Sequence, residues 1–399
     1  MSACSSTREV VVGEHIRTTQ RRHKIKRSEY LVTGSIPVVD QSQEFIAGYI
    51  DDEERAYEGP LPVIVFGDHT CTLKYVDFPF AVGADGTQLI QPTEDFDIRY
   101  LYYSLHNLGL EHFGYQRHFK YLKEKRIPWH PLEEQRKIAA ILSTYDDLIE
   151  NNTRRIRILE EMAQIIYREW FVNLRFPGHE NVKMVESELG MIPEWWEVGT
   201  LNELARIVSG FAFSSKEYLV NGKYSIVTIR NIQDGVFMPD CNSRVDRVPP
   251  NMPEHCRLHT GDILLSLTGN VGRTCLFYGE QHLLNQRVAK ILPREGIGES
   301  FVYFTFRQDS LRRRLEMIST GVAQQNLSPI NAGNLELILP PKQLLTDFCR
   351  TFDVFVEHIL LLSLHTANLQ RTRDLLLPTL ISGEIDVENL DIDTGEAQA

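Results

Sequence analysis

The sequence predicts a mixed α/β (α+β) protein. Two globular domains are joined by two long helices that pack on each other within one chain, as an antiparallel coiled coil with pseudo-two-fold symmetry. Three observations predict this. A long helical pattern occurs twice, 210 residues apart. Each copy follows strand-like segments broken by Gly, Pro and Asp. The apolar seam of each copy also keeps a 3.5-residue spacing over about five heptads, the repeat of a coiled coil rather than of a surface helix.

The first helix follows Ile127-Pro128-Trp129-His130-Pro131 and is expected over about 132–172. Its seam is Ile138, Leu142, Tyr145, Ile149, Asn152, Ile156, Leu159, Ala163, Ile166 and Trp170, with Asn152 the one polar member. In the second, expected over 342–381, the same places hold Phe348, Phe352, Phe355, Ile359, Leu362, Thr366, Leu369, Arg373, Leu376 and Leu380. Pro131 recurs as Pro341 in Leu339-Pro340-Pro341-Lys342. A lone polar residue in such a seam fixes register at some cost in stability, and Asn152 is assigned that role. At 1.5 Å per residue each rod is roughly 60 Å long, more than either globular domain can cover, so the two seams are expected to bury each other.

Residues 1–126 read as the first globular domain and 127–176 as the first long-helix segment. Residues 177–190 read as a polar, irregular linker and 191–339 as the second domain. The second helix segment is 340–383, and an acidic tail fills 384–399. Ile36–Val39, Leu61–Asp68, Tyr224–Ile229 and Thr260–Ser266 read as strands with their turns. Helices are expected over 99–113 and around 299–316. Phe66-Gly67-Asp68 and Thr260-Gly261-Asp262 read as corresponding, as do Gly114-Tyr115-Gln116 and Gly321-Val322-Ala323-Gln324.

Composition bounds the function. With 399 residues, 42% apolar and 24% charged, the chain is of ordinary globular type, with room for two or three domains. It carries neither an apolar run long enough for a membrane nor a signal-peptide pattern at Met1. Its six cysteines form no CxxC pair and no zinc spacing, so a reducing, cytoplasmic setting is expected. The net charge of −12 opposes phosphate binding on average, but it is unevenly spread. Acids fill 51–58 and the tail, which has the composition of a disordered segment and is expected to stay out of DNA contact. Bases cluster at 17–27, at 117–126, and at Arg307, Arg312, Arg313 and Arg314. Three such runs in similar domain contexts point to a DNA surface.

No enzyme signature emerges. The chain lacks the Asp/Asn-Pro-Pro-Tyr/Phe motif of base methylation, a GxxxxGK[ST] loop, HExxH and GxSxG. No catalytic residue, metal site or cofactor of its own is therefore expected. A binder is the better reading, and amide and guanidinium groups on loops are its candidate base readers. In the first domain these are Lys74, Tyr115, Gln116, Arg117, His118 and Lys120. In the second they are Thr228, Arg230, Asn231, Thr268, Asn270, Arg273, Gln324, Gln325 and Asn326.

Several runs resemble type I restriction–modification specificity subunits. Gly114-Tyr115-Gln116-Arg117-His118-Phe119-Lys120, then Ile127 through Ile138, Asp146-Asp147-Leu148-Ile149, Leu159-Glu160 and Trp170-Phe171 are similar to that family's central region. Gly190-Met191-Ile192-Pro193-Glu194-Trp195-Trp196 resembles the opening of a target-recognition domain, and Gln324-Gln325-Asn326-Leu327 with Leu339-Pro340-Pro341 resembles its close. The chain departs from the pattern at Leu344-Leu345, which stand where the first copy has Glu134-Gln135. The resemblance implies two target-recognition domains, each reading one half of a split duplex DNA sequence, with the rod setting the spacing. It also implies two methyltransferase (modification) subunits and restriction subunits as partners, with S-adenosylmethionine, ATP and Mg²⁺ bound by those partners. The alternative is a structural adaptor that binds no DNA and uses duplicated protein-binding domains.

Overall fold

The computed structural model describes residues 8–19, 23–83, 86–110, 117–321 and 325–395. The chain divides into two compact units, each combining a globular domain with parts of both long helices: residues 1–148 with 369–399, and residues 149–368.

The first domain contains β1 (Glu9–Val11), β2 (Ile16–Thr18), β3 (Ile36–Val39), β4 (Gly48–Ile50), β5 (Val63–Gly67), β6 (Leu73–Val76), β7 (Ala81–Val82), β8 (Thr87–Pro92) and β9 (Arg126–Pro128). Its helices are α1 (Ile98–Asn107) and α2 (His118–Glu124), and α3 (Leu132–Tyr167) follows. The strands pair as β2-β8-β5-β6, β4-β3-β7 and β1-β9. All pairs are antiparallel except β3 with β7. β5, Val-Ile-Val-Phe-Gly, is buried throughout, as its unbroken apolar run requires of a central strand. Asp97 caps α1, its carboxylate accepting from Tyr100 N at 2.9 Å.

After α3 the chain continues through a π turn, Arg168–Val172, into the hairpin β10 (Met184–Ser187) and β11 (Gly190–Pro193). The second domain holds β12 (Glu197–Thr200), α4 (Leu201–Leu204), β13 (Ala205–Ser209), β14 (Tyr224–Val227), β15 (Arg244–Val245), β16 (Ile263–Ser266) and β17 (Thr274–Leu276). It continues with β18 (His282–Leu284), β19 (Val288–Pro293), α5 (Glu299–Phe306), α6 (Asp309–Met317), α7 (Pro329–Gly333) and β20 (Glu336–Leu339), and α8 (Lys342–Ile381) closes the fold. The sheets are β13-β19-β16-β17, β15-β14-β18 and β12-β20. Strand for strand this is the first domain's order, and again one pair, β14 with β18, is parallel. The repeat therefore extends from the rods into the globular parts.

The two long helices pack antiparallel. In the first unit His130 Nε2 lies 3.0 Å from Ile381 O, while Asp146, further along α3, pairs with Arg373, earlier in α8. Ile138 and Leu142 share a core with Leu377, Leu380 and Ile381. In the second unit Tyr167 at the other end of α3 and Trp170 of the π turn after it pack on Phe348, with Phe352 and Ile359 in the same core. Ile138, Leu142, Phe348, Phe352 and Ile359 are buried; Tyr145, Ile149, Ile156, Leu159, Phe355, Leu362 and Leu369 are half-buried. Asn152 is buried, and its Nδ2 has no partner among the described residues, as is true of Thr366 Oγ1.

Four expectations need correction. Residues 177–190 are not irregular throughout, because β10 and β11 pair Val185 with Ile192, and Ile192 joins Phe176 in the core. The helix expected around 299–316 breaks at Arg307-Gln308: α5 is buried on all sides, α6 only at Leu311 and Leu315, and the turn redirects the chain between them. Phe66-Gly67-Asp68 does not correspond to Thr260-Gly261-Asp262, since the former ends β5 and the latter precedes β16. Finally, the acidic tail begins packed rather than free. Val387 is buried in the first unit's core, and Lys137 Nζ donates to Glu388 O at 2.7 Å.

Candidate nucleic-acid interface

In the second domain the connection from β14 to β15, Thr228–Ser243, is shaped by its own side chains. Thr228 N and Oγ1 donate to Asn231 Oδ1 at 2.9 and 3.1 Å, capping a short turn. Asn231 Nδ2 in turn donates to Met238 O and Asp240 O, both at 2.9 Å. Beyond the turn the chain folds back as a small hairpin, with Gln233 N donating to Val236 O at 2.9 Å and Gly235 at φ +80°. Asn231 is thus a buried strut, and Thr228 and Arg230 line a cleft of about 460 Å³.

The end of β16 meets the same place. Gly269 N donates to Gln325 O at 3.3 Å, Thr268 bridges Asn326, and a Cβ on Gly269 would lie 3.5 Å from Ile229 Cδ1. Arg273 donates through Nη1 to Gln233. Thr228, Arg230, Thr268, Asn270, Arg273, Gln325 and Asn326, dispersed over a hundred residues of sequence, are therefore gathered around one strand end. Arg230, Asn270, Gln325 and Asn326 are exposed, Arg273 is half-buried, and Thr268 is buried with Oγ1 unpartnered among the described residues. Gln324 lies outside the described residues.

The cleft is also lined by Asn285, Gln286 and Arg287, which were not among the sequence candidates. A signal existed: these are three polar residues between the buried runs of β18 and β19. Asn285 N donates to Val227 O and Gln286 N to Phe211 O, at 3.0 and 2.9 Å, and Asn285 Oδ1 accepts from Arg287 N at 3.2 Å, while the side chains of Gln286 and Arg287 are exposed.

In the first domain Arg117 and Lys120 are exposed at the start of α2. His118 is buried instead, its Nδ1 3.0 Å from Asp68 O, while Asp68 Oδ1 accepts from Phe119 N at 2.8 Å. This histidine fastens α2 to the end of β5. Lys74 is also buried, and Nζ donates to Asp40 O at 2.7 Å and Glu44 O at 2.5 Å. Burial lowers its pKa, against Asp40 and Glu44, which raise it. Its charge serves the Asp40–Ala47 connection, so Lys74 and His118 are corrected from surface readers to internal fasteners. Tyr115 and Gln116, with the Gly114 segment, lie outside the described residues.

The late basic run is corrected too. Arg307 pairs with Glu160 Oε2 at 3.0 Å and with Asp234. Arg312 pairs with Asp234 and Asp309 at 3.0 and 3.1 Å, and Arg314 Nη2 donates to Glu336 O at 2.6 Å. Burial opposes the charge of Arg307, but Tyr303, Glu160 and Asp234 hold its pKa above the usual guanidinium value. Arg307 and Arg312 are thus neutralised by carboxylates of the second unit and Arg314 is held by a backbone carbonyl, while Arg313 is exposed. Among the described residues no group of three or more His, Cys, Asp and Glu could hold a metal ion, and no helix is long and apolar enough to cross a membrane.

Comparison with known proteins gives three findings. The family described as "Type I restriction modification DNA specificity domain" matches residues 14–161 and 193–359. The chain is similar to two type I restriction enzyme specificity subunits of Methanocaldococcus jannaschii. With MjaIX it is 29% identical over 287 residues, a match covering 67% of this chain and 62% of that relative. With MjaVIII it is 26% identical over 324 residues, covering 76% and 74%. The crystal structure of the type I restriction-modification system S subunit from M. genitalium superposes with a TM-score of 0.59 at 16% identity, covering 96% of this chain and 98% of that one. That likeness is one of fold.

Proposed function

Because the chain belongs to the type I restriction-modification DNA specificity family, with the family domain present twice, we propose that each globular domain reads one half of a bipartite duplex DNA target. The paired helices set the distance between the halves and recruit two modification subunits and the restriction subunits. The methylating and cleaving chemistry, with its S-adenosylmethionine, ATP and Mg²⁺, then belongs to those partners, and this chain supplies recognition in the cytoplasm. The observation that carries the reading is the strand-for-strand repeat of the two domains, with polar side chains gathered at the end of β16 and around its cleft. Exposed amides and guanidinium groups such as Arg230, Asn270, Gln286 and Arg287 suit the bidentate patterns that adenine and guanine present in the major groove.

Phosphate binding should be modest in the isolated chain. Its net charge is −12, and the arginines at 307, 312 and 314 are already engaged. Binding curves at two salt concentrations, with and without the modification subunit, test the reading. The expected result is affinity that falls with salt by a log–log slope of about −0.9 per phosphate contact, and far tighter binding once the modification subunits enclose the duplex. Equal affinity with and without them would make the chain a self-sufficient DNA-binding protein. No salt-dependent DNA binding in either case would favour the adaptor.

A further inference from the structure

Glu160 lies on α3 beside the seam residue Leu159, and it is buried. Its carboxylate accepts from the hydroxyl of Tyr303 on α5 and, at 3.0 Å, from Arg307 Nη2. The other arm of Arg307 holds Asp234, whose second oxygen accepts from Arg312 Nη1 at 3.0 Å. Burial, then the charge of Glu160, pushes the Tyr303 hydroxyl well above its usual pKa, so it remains a donor.

Asp234 is the tip of the hairpin inside the Thr228–Ser243 connection, and the next residue shows how closely that tip is seated. A Cβ on Gly235 would lie 2.6 Å from Arg307 Nη2 and 2.9 Å from Glu160 Oε2, so a side chain there would displace the ion pair, and the φ of +80° favours glycine. Gly235 N also donates to Thr274 O at 2.9 Å. Both ends of this connection line the cleft, Thr228 and Arg230 at one and Asp240, Asn242 and Ser243 at the other, and its tip is clamped through Arg307 to the long helix. Buried ion pairs add little net stability over apolar packing, although breaking one is costly; in some proteins they fix one defined geometry.

We propose that Glu160, acting through Arg307 and Asp234, is a positioning residue that sets the pose of the Thr228–Ser243 connection and thereby the base discrimination of the second domain. The proposal rests on the half-site reading above. It makes α3 part of the reader, although α3 lies outside the second domain in sequence.

The test uses the complex with modification subunits, assembled with the wild-type chain or with Asp234→Asn, Glu160→Gln or Arg230→Ala. Affinity is measured for duplexes carrying the target, mapped beforehand from methylation sites, with single mismatches in one half or the other. The wild type should discriminate in both halves. Asp234→Asn and Glu160→Gln should each lose roughly tenfold in discrimination at one half, the same half that Arg230→Ala weakens, and keep the other. Asp234 sits at an exposed tip, so its Asn variant should melt as the wild type does and separate positioning from stability. Discrimination that is unchanged, that falls equally in both halves, or that falls only as far as melting falls would overturn the proposal alone. A wild type that binds all duplexes alike would overturn the half-site reading, and the proposal with it.

Discussion

The connection between β3 and β4 in the first domain and the one between β14 and β15 in the second occupy the same place in one repeated strand order, yet they are held in different ways. The first runs from Asp40 to Ala47 and is stapled from beneath by Lys74, a cation given wholly to backbone carbonyls of its own domain. The second, Thr228–Ser243, is twice as long, and its tip is clamped by ion pairs to Arg307, just after α5, and Arg312 on α6, and through Arg307 to the long helix. A duplicated scaffold can thus keep its sheets while each copy solves the anchoring of this connection separately. The short loop needs one buried donor. The long one needs an external post, and α3 supplies it.

Breaking the first staple should have the largest effect on stability. Lys74→Met keeps the stem and deletes the ammonium, leaving the Asp40 and Glu44 carbonyls without their charged donor, at a cost of about 2–3 kcal/mol. Hydrogen exchange should show lost protection confined to β3, β4 and β6, with the second domain unchanged. Equal loss in both domains would mean that the two anchors are not independent.

The rods were the most legible part of the sequence, because a 3.5-residue repeat held over many heptads has few competing explanations. The strands at 36–39, 63–67, 224–227 and 263–266 were legible as short apolar runs between turn residues. The candidate interface was only half legible. Arg230, Asn270, Gln325 and Asn326 lie exposed near one strand end, but Lys74, His118 and Asn231 turned inward. Composition cannot separate a polar side chain that waits for a ligand from one that satisfies a neighbouring carbonyl, because both favour turns. Glu160, Arg307 and Asp234 were illegible as a set: their sequence separations follow no period, and each alone reads as an ordinary surface charge.

A smaller effect should be common to both units. His106 on α1 and His282 on β18 each have a pKa below the usual 6.5; desolvation leads in both, and for His106, whose surface is partly exposed, the nearby Arg373 guanidinium adds to it. The folded units therefore bind fewer protons than the unfolded chain between those lowered values and 6.5. Stability should be flat above about pH 6.5 on this account and fall as acid carries the pH down through that window. His106→Gln should flatten the fall in the first unit only, and His282→Gln in the second only, as read by unit-resolved hydrogen exchange across pH. A fall that persists in the double variant would assign the acid sensitivity to other groups.

The central claim, two readers held independently on one rod, is tested most directly by exchanging residues 191–339 for the matching domain of a relative that carries Arg and Asp at the places of Arg307 and Asp234. Glu160 then keeps its partners. Methylation-site mapping in cells carrying the hybrid system should show one half of the recognised sequence replaced, with the other half and the spacing between them retained. A change in both halves, or in the spacing alone, would contradict the account.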